Sequence, residues 1–184
     1  VIYAALVETG RMAPEGLAMF NQDGGSVEMI GAEHSPGMEV TTGSLAQGLS
    51  MAAGVALARK LKQETQRVWV FLSDGELQEG QTWEAFQVIR HYNLNNLAII
   101  VDVNGQQCDG AMESVLSLGH AAEKLAAFGA HVIAVDGHDI EAVHKAGQTQ
   151  PESGALVILA TTNPCQGMDY LANRLPRLHY VRFK

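Results

Sequence analysis

Residues 67 to 110 read RVWVFLSDGELQEGQTWEAFQVIRHYNLNNLAIIVDVNGQQCDG, and the order of elements in this stretch decides the architecture. Arg67 to Leu72 is a short β-rich apolar run with the length of a buried strand, and Leu97 to Val101 is another. Between them, Glu79 to Tyr92 places Trp83, Phe86, Ile89 and Arg90 at helical intervals. The same alternation continues downstream. His131 to Val135 and Ala155 to Ala160 repeat the strand pattern, Glu123 to Phe128 is rich in helix formers, and Ile140 to Gln148 follows an Asp139 cap. Strands that alternate with helices predict an α/β fold: a mostly parallel sheet with helices on both faces and right-handed crossovers.

Upstream the pattern changes. Leu45 to Leu61 is a long run of Ala, Gly and Leu whose small residues predict a closely packed, buried helix. Asn21 to Gly43 shows little periodicity and predicts an irregular stretch over the surface, a setting in which function often resides. Ile2, Leu6 and Val7 are spaced like the middle of a helix, so the reading expects a start that lies further upstream. A length of 184 residues suits one domain. The expectation is a single domain over 1–184, with 163–184 as a C-terminal extension.

Composition narrows the chemistry. A hydrophobic share of 47% with 17% charged residues supports a sizeable core and argues against disorder. The formal charge of -8 offers no clustered basic surface for a phosphate backbone or an anionic membrane, so neither nucleic acid nor membrane is expected as a partner. The apolar run near residues 97 to 101 is far shorter than the roughly 20 residues that span a bilayer. Cys108 and Cys165 stand far apart, outside any CxxC pair, and read as reduced thiols of a cytoplasmic protein.

In open α/β sheets, ligands bind beyond the carboxyl ends of the strands. The first strand runs there into Ser73-Asp74-Gly75-Glu76 and the second into Asp102-Val103-Asn104-Gly105. One crossover thus delivers a carboxylate and a carboxamide to the same sheet edge, where Asp74 and Asn104 can share one ligand. A hard cation such as Mg²⁺ takes oxygen ligands and is commonly held by one or two protein oxygens together with phosphates. Gly75 lets the main chain approach a phosphate, and a helix starting near Glu79 adds a partially positive N-terminus. Asp74-Gly75 and Asn104-Gly105 each also read as ordinary turns. Their joint placement on adjacent strand ends favours the reading of a cation with a phosphate compound.

Ser73 to Gly110 resembles the thiamine diphosphate motif of transketolases, which opens on GDG and closes on an Asn. Thr41-Thr42-Gly43-Ser44-Leu45-Ala46-Gln47-Gly48 is similar to that family's TTG-x-L-x-QG segment, and Phe20 to Gly24 and Val135 to Asp139 are further matches. The likeness extends over residues 1 to 162 and implies a thiamine diphosphate-binding fold, its diphosphate domain. It implies thiamine diphosphate and Mg²⁺ or Ca²⁺ as cofactors. Asp74 and Asn104 would be the side-chain metal ligands, with Gln106 supplying its backbone carbonyl. Gly75 and Glu76 would border the diphosphate, while Gly43, Ser44 and Leu45 would lie against the aminopyrimidine. Glu79 would contact the partner's cofactor-activating glutamate. Glu84 is similar to an acidic interface residue, or belongs to a solvated helix face. His179 lies near the place of a substrate histidine.

The implied reaction moves a two-carbon ketol unit between sugar phosphates. The family's activating glutamate resides in a pyrimidine-binding domain for which this chain has no room, so the resemblance implies a split transketolase of α2β2 type, completed by a second subunit. A 1-deoxyxylulose-phosphate synthase or 2-oxo-acid dehydrogenase component stays open within the cofactor class, with TTGSLAQG and GELQEG favouring transketolase. Outside that class, a non-catalytic regulatory or scaffolding module remains, on the strength of several departures from the family. Ser73 replaces the first glycine of GDG. Met29 stands where a donor-binding histidine is expected, and His34 either substitutes for it or is an exposed loop residue. Asn163 to Gly167 replaces a KGKG-type stretch. Arg174, Arg177, Arg182 and Lys184 make the tail basic, to dock a partner, to bind an anionic substrate or as a solvated extension. His91, His120, His131, His138 and His144 receive no catalytic role.

Overall fold

The computed structural model describes residues 2–175, 178 and 179. The chain divides into two compact units, Val1–Ser44 and Leu45–Lys184. Arg177, Arg182 and Lys184 of the expected basic tail lie outside the described residues.

The first unit is small. Helix α1, Ile2–Glu8, contributes Tyr3 and Leu6 to a core completed by Val27, against which Met12 and Met38 pack. The Tyr3 hydroxyl donates to the Glu28 carbonyl at 2.8 Å, which satisfies the polar tip of a buried ring. A 3₁₀ turn over Pro14–Met19 follows, and residues 21–43 form turns and bends without helix or strand, as their weak periodicity predicts.

The second unit holds the sheet. Its strands are β1 (Val68–Ser73), β2 (Leu97–Val103), β5 (His131–Asp136) and β6 (Leu156–Thr161), in the order β1-β2-β6-β5 and parallel throughout. The short β3 (Gln106–Gln107) and β4 (Gly110–Ala111) pair antiparallel as a hairpin just beyond β2. Side chains alternate between the two faces of the sheet. Leu72, Leu97, Ile99, Val101, Val157 and Leu159 join one core with Leu49, Ala53 and Ala56 of α2 (Gln47–Leu61) and Phe86 and Ile89 of α3 (Gly80–His91). Helix α4 (Met112–Leu116) follows the hairpin, and α5 (Ala121–Ala127) adds Leu125 to the same core. Ala98, Leu156 and Ile158 point the other way and meet Ala146 of α6 (Ile140–Gly147). Period-2 alternation thus places helices on both faces, as expected.

Asp139 caps α6 as predicted, its Oδ1 accepting from the Ala142 N–H at 3.0 Å. The strand and helix bounds shift by a residue or two from those read in the sequence. Helix α2 is buried on one face only, since Val55 and Leu61 face solvent. On β1, Trp69 and Phe71 remain about half exposed, at 51% and 45%, because α6 spans the far end of that face. Helix α7 (Asp169–Ala172) lies in the C-terminal extension.

Candidate active site

At the carboxyl edge of the sheet, β1 and β2 lie side by side with Ser73 paired to Asp102. Beyond β1 the chain enters a 3₁₀ turn, Asp74–Gln78, and α3 starts at Gly80. The helix read as beginning near Glu79 is therefore separated from Gly75 by this turn, because Glu79 is in extended conformation with φ -87° and ψ 133°. The turn is pinned from behind: the Thr82 hydroxyl, fully buried, donates to the Glu76 carbonyl at 2.6 Å, and Trp83 Nε1 donates to the Leu77 carbonyl at 3.0 Å.

Beyond β2, two consecutive amides gather the two predicted side chains. The Gly105 N–H donates to Asp74 Oδ2 at 2.8 Å, and the Gln106 N–H donates to Asn104 Oδ1 at 2.8 Å. Asp74 and Asn104 therefore converge on the same short segment. Asp74 is 1% exposed, and its other oxygen, Oδ1, is buried with no donor among the described residues. Burial pushes the Asp74 carboxyl above its ordinary value and the nearby Asp102 charge pushes the same way, against the hydrogen bond from the Gly105 amide. A buried, half-satisfied carboxylate beside an amide oxygen suits a divalent cation. No group of three His, Cys, Asp or Glu side chains converges among the described residues, so a cation here has to draw on amide or carbonyl oxygens as well.

Glu76 projects toward the start of α2, where its carboxylate accepts from the Ala46 N–H. Ala46 is left-handed at φ 69° and offers no side-chain cap, so Glu76 satisfies that helix end. Burial raises the Glu76 carboxyl, and Glu79 adds to this, while the Ala46 bond opposes it. A Cβ on Gly75 would meet only Ser73 Oγ at 3.6 Å, an ordinary contact, so packing within the chain does not require glycine there. Ser73 itself is extended at φ -94° and ψ 165°, a backbone that any residue adopts, so replacing the expected glycine introduces no strain.

Other expected positions scatter more widely. Leu45 is exposed immediately before α2, and Glu79 and Glu84 are exposed or partly so, before and on α3. Gly43, in the first unit, has φ +132°, and a Cβ there would press on Ile30 Cγ2 at 2.5 Å; Ser44 beside it is exposed. Gln106 lies in β3, and its side-chain Oε1 is buried without a donor among the described residues. Met29 is exposed, and His34 pairs with Glu28 at 3.0 Å, while Ser35 Oγ donates to the same Glu28 oxygen at 2.9 Å. His179 is exposed in the extension. His138, given no role from sequence, accepts from the Asn163 N–H through Nε2 at 2.8 Å and borders a cleft with Asp136 and Thr162.

Sequence reasoning assigns Asp102 no role. In the structure its Oδ2 accepts from Asn104 Nδ2 at 2.9 Å and its Oδ1 accepts from Thr162 Oγ1 at 2.5 Å. The two-residue spacing of Asp102 and Asn104 at a strand end was the available signal, since residues i and i+2 share a face.

A parallel α/β sheet with an acid and an amide meeting at its carboxyl edge defines a ligand-binding domain of the doubly wound class. Residues 24–163 match the family described as transketolase, thiamine diphosphate binding domain, and the chain belongs to that family. It is 38% identical over 185 residues to an uncharacterized transketolase family protein of Sinorhizobium fredii, covering 98% of this chain and 66% of that protein. It is 32% identical over 180 residues to an apulose-4-phosphate transketolase subunit from Actinobacillus succinogenes, covering 97% of this chain and 65% of that relative. The chain therefore spans just under two thirds of the length of these relatives. A crystal structure of transketolase from Campylobacter jejuni superimposes with a TM-score of 0.71 at 27% identity, covering 80% of this chain and 24% of that one.

Proposed function

We propose that this chain is the diphosphate-binding part of a thiamine diphosphate-dependent transketolase that moves a two-carbon ketol unit between sugar phosphates together with a second subunit. The observation that carries the reading is the meeting of Asp74 and Asn104 on consecutive amides, with Asp74 Oδ1 buried and lacking a donor among the described residues. In this reading Asp74, Asn104 and the Gln106 carbonyl hold Mg²⁺ or Ca²⁺, and the cation fixes the diphosphate beside Gly75 and Glu76. When bound, thiamine diphosphate supplies the electron sink that carries the two-carbon fragment. Gly43, Ser44 and Leu45 are assigned to the aminopyrimidine by the motif match alone. Glu79 would orient the partner's glutamate, and His179 would contact the sugar.

The need for a partner is supported by relatives whose names describe them as transketolase subunits. We assign it to an α2β2 assembly. Both cysteines are free, Cys108 exposed and Cys165 buried, which supports a reducing compartment such as the cytoplasm. Among the described residues, no helix is long and apolar enough to cross a membrane.

Ketol transfer measured with thiamine diphosphate and Mg²⁺ tests the reading. The chain purified alone is expected to be inactive, and activity is expected to return when its co-purifying partner is added. Full turnover by the isolated chain contradicts the split assignment. Failure of the reconstituted pair on every ketose phosphate tried contradicts the reaction class.

A further inference from the structure

The carboxamide of Asn104 is gripped at both ends by groups of opposite character. Its Nδ2 faces a carboxylate oxygen of Asp102 at 2.9 Å, and its Oδ1 faces the Gln106 N–H at 2.8 Å. Rotating the amide by half a turn would set its oxygen against a carboxylate and its NH₂ against an N–H, losing both bonds and adding two repulsions. Asp102 is itself held from a third chain segment. Thr162, just past β6, donates through Oγ1 to Asp102 Oδ1 at 2.5 Å, and its N–H donates to the Val103 carbonyl at 3.1 Å, extending the ladder by one residue. Each carboxylate oxygen of Asp102 thus accepts one hydrogen bond, Oδ1 from Thr162 and Oδ2 from Asn104, which suits it to an orienting role.

We infer that Asp102, fixed by Thr162, is the positioning residue that sets which end of the Asn104 amide is presented beside Asp74. The inference rests on the proposed cation site. An Asn serves a hard cation only through its oxygen. A mis-turned amide presents two N–H donors to the ion, so the orientation decides whether Asn104 is a ligand at all. Partners that orient ligating groups typically govern metal affinity by about 10- to 100-fold.

The test is a double-mutant cycle on Mn²⁺ affinity, read from the free-ion electron paramagnetic resonance signal with thiamine diphosphate present, on the chain in its purified complex. Asp102→Asn supplies both an acceptor and a donor, so the Asn104 amide is bonded in either orientation, and the change is expected to weaken Mn²⁺ binding about 10- to 100-fold with the fold retained by circular dichroism. Asn104→Asp places oxygens at both ends of the side chain and removes the need for orientation. In that background Asp102→Asn is expected to produce no weakening. Equal losses in both backgrounds would mean that Asp102 acts through charge or general structure, and unchanged affinity in the Asn104 background would overturn the inference outright. Should Asp102→Asn fail to fold, Thr162→Val, which keeps the charge while freeing the carboxylate, must lower Mn²⁺ affinity in the same direction, or the inference fails. Absence of Mn²⁺ binding by the wild-type complex would overturn the cation site itself and this inference with it.

Discussion

Asp74 carries its charge in a place where water scarcely reaches it, and only one of its oxygens accepts from a donor among the described residues. Its carboxyl is raised in the fold, and so is that of Glu76, in both cases chiefly by burial. A carboxyl whose folded pKa exceeds its unfolded one adds stability that is complete below the unfolded pKa and is lost as pH rises through the folded pKa. In the absence of metal the protein is therefore expected to lose stability as pH climbs out of the ordinary carboxylate range. Urea unfolding across that range measures it, and Asp74→Asn should flatten the curve; an identical pH profile in the variant would contradict the account. Mg²⁺ acts in the opposite sense, because a bound cation favours the ionised form. Half-exposed Glu28 is shifted downward, chiefly by its Ser35 bond and then by His34, so its stabilising effect appears above its unfolded pKa and is lost on acidification.

At the scale of elements, the start of α2 depends on a residue from a different crossover. Its first turn begins at left-handed Ala46, which is buried and whose N–H donates to the Glu76 carboxylate. Glu76→Ala leaves that donor unpaired and is expected to destabilise the chain by about 1 to 3 kcal/mol. Glu76→Gln, which keeps an acceptor, should cost less, and urea midpoints of the two variants rank them; equal midpoints would remove Glu76 as the cap. This contact shows where sequence reading stops. The strands, their parallel pairing and the delivery of Asp74 and Asn104 to one sheet edge were legible, because one strand-helix-strand crossover places both there and local periodicity encodes that crossover; the position of β6 between β2 and β5 was not. The Glu76 to Ala46 bond and the Asp102 to Thr162 bond join segments 30 and 60 residues apart, and no local pattern encodes them. The same limit explains α2: its small residues foretold close packing, but which face is covered depends on β1 and α3, so Val55 and Leu61 emerge in solvent. The β3–β4 hairpin escaped notice because two-residue strands carry no period to read.

For the whole molecule, the sheet brings Asp74 and Asn104 to one carboxyl edge, which in the proposed function is the diphosphate side of a cofactor site. The acidic charge and the buried Asp74 at the carboxyl edge fit a protein that binds the anionic end of a cofactor through a cation. A ligand that binds only the folded complex stabilises it by about 2.7 kcal/mol at a hundredfold excess over its Kd. Thiamine diphosphate with Mg²⁺ should therefore raise the thermal midpoint of the complex, and removing the metal with a chelator should reverse the gain. The central claim, that Asp74 and Asn104 jointly hold a cation tethering the diphosphate, is tested most directly by calorimetric titration of thiamine diphosphate into the complex, with and without Mg²⁺, for wild type and Asp74→Ala. The account predicts Mg²⁺-dependent binding in wild type that Asp74→Ala abolishes while circular dichroism stays unchanged; equal Mg²⁺-dependent affinity in the two proteins would contradict it.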